Sequence, residues 1–154
     1  MDPNNNLNIL NWNARSLNGK EDELFNFLTV NNVHIAVITE TYLKPGSKLK
    51  RDPNFFVYRN DRLDGACGGV AIIIHRRIKH QLFSSFETKV FETLGVSVET
   101  QFGKYTFIAA YLPFQCSGQQ VNLLQTDLRK LTRNKSNFFV IGDFNAKHRS
   151  WNNS

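Results

Sequence analysis

The sequence predicts an α/β sandwich, with helices packed outside two sheets. A strand–helix–strand pattern opens the chain and a second one closes it, while short apolar segments broken by turn residues fill the middle. Polar residues also close several of the apolar runs, at Asn13, Glu40, Tyr111 and Asp143. In open α/β folds such strand ends converge on one rim.

Leu7 to Asn13 alternates Leu, Ile, Leu and Trp with Asn, which predicts a first strand. Asn18 is placed to cap a helix starting near Gly19, and Glu21, Asp22 and Glu23 suit the positive end of its dipole. Leu24, Phe27 and Leu28 give that helix an apolar face, and Asn31-Asn32 ends it. His34 to Thr39 is a second strand, followed by a Lys/Pro/Gly loop from Lys44 to Pro53. The middle predicts strands at Phe55–Arg59, Val70–His75, Ile78–Phe83, Thr93–Glu99 and Tyr105–Tyr111, with a hairpin turn at Gly103. Gln119 to Arg133 reads as a helix with Leu123, Leu124, Leu128 and Leu131 on one stripe, and Phe138 to Gly142 as the last strand.

At 154 residues the chain has room for one domain, expected over residues 7–154 behind a polar, Asn-rich tail at 1–6. Hydrophobic residues make up 41% and charged residues 21%, which excludes a disordered chain. Nineteen Lys and Arg against thirteen Asp and Glu give a net charge of +6, suited to a polyanionic partner such as nucleic acid. Binding of that kind is electrostatic and weakens as salt rises.

Cys67 and Cys116 fit no metal or redox spacing and read as free thiols in a reducing compartment. The N-terminus lacks the pattern of a signal peptide, and the apolar run Val70–Ile74 is too short to span a bilayer. The expectation is a soluble intracellular protein with no membrane partner.

The chemistry concentrates near the C-terminus, in Gly142-Asp143-Phe144-Asn145. Asp143 supplies a carboxylate and Asn145 an amide, and their i, i+2 spacing puts both on one side of an extended segment. The structural alternative is a strand ending in an Asx-rich turn. Glu40 ends the run Ile35-Ala36-Val37-Ile38, where one carboxylate can anchor a hard cation such as Mg²⁺. Asn13 offers a neutral ligand beside that metal, and Tyr111 a hydroxyl for a phosphoryl oxygen. Together these groups suit metal-assisted phosphodiester hydrolysis.

Four motifs in order carry a family resemblance: Asn8-Ile9-Leu10-Asn11-Trp12-Asn13, Ile38-Thr39-Glu40-Thr41-Tyr42-Leu43, Ala110-Tyr111-Leu112-Pro113 and Gly142-Asp143-Phe144-Asn145. They resemble the endonuclease/exonuclease/phosphatase superfamily. Trp12 to Leu17, Gly68-Gly69-Val70-Ala71-Ile72, and the stretch from Gly142 through Trp151 narrow this to the apurinic-type endonuclease domain of non-LTR retrotransposons, particularly jockey-like insect elements.

The resemblance implies a four-layer α/β/β/α sandwich and Mg²⁺-dependent nicking of DNA, with Mn²⁺ as an alternative metal. It implies Glu40 as the principal metal ligand with Asn13 beside it, Tyr111 on the scissile phosphate, and Asp143 with Asn145 activating the nucleophile. Arg15, Lys147, His148 and Arg149 are the expected DNA-side residues, with a solvated surface as the alternative for the last three. Lys44, Lys48, Lys50, Arg51, Arg76, Arg77 and Lys79 are further basic residues with a DNA role or a solvated face.

In the parent elements the nick primes a reverse transcriptase carried on the same polyprotein, which places the action in the nucleus. The family pattern continues to a Ser-Asp-His motif beyond Ser154, where none of His34, His75, His80 and His148 stands. The expectation is therefore an N-terminal fragment of low activity alone. The alternatives are a non-catalytic nucleic-acid-binding remnant and a phosphatase-type member of the same fold.

Overall fold

Parallel strand pairs require a crossover, and each predicted strand–helix–strand unit provides one. In the computed structural model, which describes residues 6–64, 67–83, 86, 88–113, 121–133 and 136–146, β1 (Ile9–Asn13) leads through α1 (Glu21–Val30) to β2 (Ile35–Thr39). Five strands follow: β3 (Phe55–Asn60), β4 (Val70–His75), β5 (His80–Phe83), β6 (Glu92–Thr100) and β7 (Gly103–Tyr111). Then α2 (Val121–Thr132) leads to β8 (Phe138–Asp143). β1 and β2 are parallel, as are β7 and β8, and the middle strands pair antiparallel.

The strands divide into two four-stranded sheets, ordered β1-β2-β4-β3 and β5-β6-β7-β8. The strand-rich middle is thus shared: β3 and β4 join the first sheet, and β5, β6 and β7 the second. Ile35, Val37, Val70, Ile72 and Ile74 face Leu94, Val96, Val98, Phe107 and Ala109 across the sandwich. Alternate residues Ala36, Ile38, Ala71 and Ile73 pack outward against Leu24, Phe25 and Leu28 of α1. On the far side Ile108 and Ala110 pack with Leu131 of α2. Burial of both faces explains why β2 and β4 read as continuous apolar runs rather than alternating ones. The layers are therefore α/β/β/α.

Several local expectations differ from the structure. The apolar face of α1 uses Phe25, while Phe27 is 46% exposed, because the crossover presents the Leu24–Phe25–Leu28 edge to the sheet. Asn18 does not cap α1. Lys20 occupies that position with no side-chain cap, and its Nζ reaches back to the Ala14 carbonyl at 2.7 Å. Ile78 precedes β5, sitting in a turn where its N–H bonds the His75 carbonyl at 2.9 Å.

In α2 the buried stripe contains Asp127 and Leu131, whereas Leu128 is exposed. Asp127 Oδ2 accepts the N–H groups of Lys89 and Val90 at 2.7 and 2.8 Å, which fastens α2 to the segment before β6. A buried carboxylate is tolerated where backbone donors meet it. Among the described residues no helix is long and apolar enough to cross a membrane.

Gly142 lies where β8 passes closest to β7. Its φ is +153°, and a Cβ built there would lie 1.8 Å from the Ala110 carbonyl oxygen. Gly103, in the β6–β7 hairpin, also has positive φ (+118°), yet a Cβ there meets nothing within 4 Å. Gly142→Ala should therefore destabilise by about 3 kcal/mol or more, combining backbone strain and overpacking, and Gly103→Ala by about 1–2 kcal/mol from strain alone. Urea unfolding of both variants checks this; equal losses would contradict the close approach.

Candidate active site at the strand-end rim

The register brings four strand ends to the same rim. Asn13 pairs with Thr39 and Thr39 with Val70 in the first sheet, and Tyr111 pairs with both Glu92 and Asp143 in the second. Because β1 and β8 lie across the sandwich from one another, their side chains meet. Asn11 Nδ2 donates to the Gly142 carbonyl at 3.2 Å, and one turn of the pleat further on Asn13 Nδ2 donates to Asp143 Oδ2 at 2.8 Å.

Asn13 is the centre of the arrangement. Its Nδ2 also donates to Glu40 Oε1 at 2.8 Å, so a single amide touches a carboxylate from each sheet. Its Oδ1 accepts the Arg15 N–H at 3.2 Å. Tyr111 donates its hydroxyl to Glu40 Oε1 at 3.1 Å, and Tyr42 donates to Glu40 Oε2 at 2.7 Å.

Asp143 Oδ1 accepts the Asn145 N–H at 2.9 Å, while Asn145 Nδ2 donates to the Leu112 carbonyl at 2.7 Å. The chain is not extended at this point. Asn145 has φ +46°, so the Asx turn and the functional cluster are one feature, and Asn145 supports Asp143 through its backbone.

The backbone around the cluster is unusual. Arg15, Ser16, Glu40, Tyr42 and Asn145 all have positive φ. Such conformations cost about 1–3 kcal/mol each and persist only where the surroundings enforce them. Here main-chain bonds do so: Ser16 N–H to the Glu40 carbonyl at 2.9 Å, Leu17 N–H to Thr41 at 2.9 Å, and Tyr42 N–H to Gly68 at 2.8 Å. The missing Cβ of Gly69 leaves space for Thr41 Oγ1, which would otherwise lie 2.4 Å away. Glu92 then joins the two sheets, taking the Gly69 N–H on Oε2 at 2.5 Å and Arg62 Nε on Oε1 at 2.5 Å.

These contacts set the charge states. Burial is the largest influence on Glu40 and pushes its pKa up. Bonds from Asn13, Tyr42 and Tyr111 outweigh burial and the neighbouring Asp143 charge, so the net displacement is downward. Burial, followed by the Glu40 charge and hydrogen bond, pushes Tyr111 up to about 12. Tyr42 is raised as well, chiefly by its bond to Glu40 and then by Cys67. At neutral pH the site therefore presents an ionised Glu40 beside two protonated phenols.

The donor set fits a hard divalent cation. Among the described residues no three His, Cys, Asp or Glu side chains gather as a metal-binding group. The rim offers two carboxylates and an amide oxygen, which matches an ion that takes one or two carboxylates and keeps several waters.

Arg15 is exposed beside Asn13. Lys147, His148 and Arg149 lie outside the described residues, as do Cys116 and the 1–5 part of the N-terminal tail. Arg76, Arg77 and Lys79 follow the far end of β4, at the opposite end of the sheet from Glu40. Lys79 pairs there with Glu99 at 2.5 Å, and the Arg76 guanidinium sits over the Phe56 ring at 4.2 Å. His34, His75 and His80 are also away from the rim: His34 Nδ1 accepts the Asn8 N–H at 3.0 Å, the His75 ring packs on Phe55, and His80 contacts the Tyr58 hydroxyl at 2.9 Å.

Sequence reasoning missed Tyr42, Arg62 and Glu92. Tyr42 could have been found from its i, i+2 relation to Glu40, the same spacing that singled out Asn145. Arg62 and Glu92 carry no local signal, because their partners come from other strands.

Comparison with known proteins gives this rim its setting. Residues 10–154 match the model of the Endonuclease/Exonuclease/phosphatase family. The chain is 30% identical over 149 residues to the RNA-directed DNA polymerase from mobile element jockey of Drosophila melanogaster, covering 96% of this chain and 16% of that protein. It is 28% identical over 149 residues to a probable RNA-directed DNA polymerase from transposon BS of the same species, again with 96% and 16% covered.

Among solved structures it is similar to the endonuclease domain of TRAS1, a telomere-specific non-LTR retrotransposon, with TM-score 0.65 and 16% identity over 95% of this chain and 62% of that one. An AP endonuclease from Archaeoglobus fulgidus aligns with TM-score 0.63 and 16% identity, over 92% and 58% of the two chains. The chain thus spans about a sixth of the retrotransposon relatives and about three-fifths of the solved domains. With the family model running through both sheets and the rim between them, the chain belongs to the endonuclease/exonuclease/phosphatase family, as a nuclease-like domain of the kind found in non-LTR retrotransposons.

Proposed function

We propose that the rim is the active site of a Mg²⁺-dependent DNA endonuclease that nicks target DNA to prime reverse transcription in the nucleus. The observation that carries this reading is the single Asn13 amide joining Glu40 of one sheet to Asp143 of the other, with the Tyr111 hydroxyl on the same Glu40 oxygen. Glu40 and Asn13 are the residues that would hold the cation, with Mn²⁺ as its substitute. When bound, it supplies positive charge against the phosphoryl oxygens and the leaving group.

The protein's own groups cover the remaining steps. Asp143, aimed by the Asn13 amide and the Asn145 N–H, accepts a proton from the attacking water. Water adds to phosphorus as the bond to the 3′ oxygen breaks; that oxygen takes a proton from solvent, which leaves a 5′-phosphate and a 3′-hydroxyl for a polymerase. Tyr111, kept protonated by its high pKa, donates to a non-bridging oxygen of the phosphate. The +6 charge and exposed Arg15 favour DNA over a small phosphate ester, and Lys147, His148 and Arg149 extend the DNA side of this reading.

Nicking of supercoiled plasmid tests the assignment. Activity should require Mg²⁺, disappear with EDTA, and fall by about 10²–10⁴-fold in Asp143→Asn. Glu40→Ala should lose both nicking and Mg²⁺ binding measured by calorimetry. Cleavage that persists in Glu40→Ala, or DNA binding with no cleavage under any metal, would favour the non-catalytic alternative.

The same bonds predict a titration. Glu40 in the metal-free protein should protonate at a pH below the ordinary glutamate midpoint. Because the folded pKa is the lower one, ionised Glu40 contributes stability above the unfolded value, and that contribution is lost as pH falls through the folded value. Tyr42→Phe removes one donor and should move the midpoint upward, as read by carboxyl-selective NMR. An unmoved midpoint would show that the Tyr42 bond does not stabilise the charged form.

A further inference from the structure

A basic groove lies outside the rim, between the β2–β3 loop and the outer face of edge strand β3. It encloses about 700 Å³ and is lined by Lys48, Lys50, Arg51, Val57, Arg59 and Asp61 among others. The loop is built rather than loose. Leu43 is buried and Leu49 packs into the apolar cluster beneath α1. Ser47 closes a turn on the Lys44 carbonyl through both its N–H (2.9 Å) and its hydroxyl (2.7 Å). Arg59 ties loop to strand by donating to the Ser47 carbonyl at 3.2 Å, and it is held flat by Asp61 at 2.8 Å.

With Arg59 and Asp61 paired on the floor, the cations left facing outward are Lys48, Lys50 and Arg51, all exposed. Lys50 also meets Asp22, but both side chains are largely solvated, so that pair is weak and easily exchanged. The groove has a defined relation to the rim. Asn60 of β3 pairs with Val70, which pairs with Thr39 beside Glu40. Two strand spacings separate β3 from β2, so the groove begins roughly 10 Å to the side of Glu40. Two or more phosphates flanking a phosphodiester at the rim can reach across that distance.

We propose that this groove binds the phosphate backbone of duplex DNA flanking the nicking site, with Lys48, Lys50 and Arg51 each neutralising a phosphate. The inference rests on the reading of the rim as a DNA-cleaving site and adds a second contact region to it. Phosphate contacts of this kind fix register without reading sequence.

The test is fluorescence anisotropy with a labelled duplex long enough to cover rim and groove, in EDTA and over a salt series. For the Lys48→Ala/Lys50→Ala/Arg51→Ala variant, the slope of log K against log salt should shrink by about 2.7, which is 0.9 for each of three phosphates. Arg76→Ala/Arg77→Ala/Lys79→Ala removes the same charge from the opposite end of the sheet and should leave the slope unchanged. Circular dichroism checks that both variants fold. An unchanged slope in the groove variant, or equal losses in the two variants, would overturn the proposal. Plasmid nicking by the unsubstituted chain is scored separately. A reduced slope without nicking would leave the groove standing and defeat the endonuclease reading, while nicking with an unaltered slope would do the reverse.

Discussion

One amide organises this molecule's polar end. Asn13 Nδ2 has two hydrogens, and each goes to a carboxylate on a different sheet, Glu40 at 2.8 Å and Asp143 at 2.8 Å. Two carboxylates brought this close repel one another, and each resists leaving water. The amide, the two phenols on Glu40 and the Asn145 N–H on Asp143 offset that repulsion without adding a formal charge. A Lys or Arg at the same position would cancel half of the charge of the pair. A neutral donor satisfies an oxygen of each carboxylate and adds no charge, and the bonds to Glu40 favour its ionised form.

The rest of the fold can be understood as the means of placing that amide. A parallel crossover at each end of the chain sends β1 and β8 to facing edges of the two sheets, where Asn11 and Asn13 of one meet Gly142 and Asp143 of the other. The sheets could slide relative to each other on an apolar interface, since apolar contact carries little directional information. The Asn11 and Asn13 bonds and the Glu92 bond to the Gly69 N–H are directional, and they lock the alignment at the rim. Backbone strain is concentrated at the same place. Five non-glycine residues with positive φ lie in the loops around the cluster, and their strain is offset by the closely packed core behind them.

The sequence made the strands legible because its apolar runs are short, bounded and separated by turn residues. It placed Asn13, Glu40, Tyr111, Asp143 and Asn145 at strand ends, where the structure brings them together. What it did not reveal is long-range. Asp127 looks like a surface residue on an amphipathic helix, and only its contacts with Lys89 and Val90, nearly forty positions away, make it a buried anchor. Phe25 and Phe27 flank one another, and helical periodicity alone does not decide which faces the sheet. Tyr42 shares an i, i+2 spacing with Glu40, and a turn through positive φ at both residues swings its hydroxyl back onto the carboxylate.

Tyr42 also bears on how much of Glu40 is open to a further group. Each Glu40 oxygen already accepts protein donors, Oε1 from Asn13 and Tyr111, and Oε2 from Tyr42. A carboxylate oxygen has two lone-pair sites, so Oε1 is saturated by these donors and Oε2 retains one free position. Asn13, Tyr111 and Tyr42 thus occupy three of the four lone-pair positions of Glu40, and the cation proposed for this rim would share the carboxylate with them. Tyr111 stays protonated at neutral pH, so its hydroxyl would need another oxygen acceptor wherever Glu40 no longer accepted it. The hydrogen bonds that hold Glu40 ionised are thus also the ones that limit how a further group could approach its oxygens.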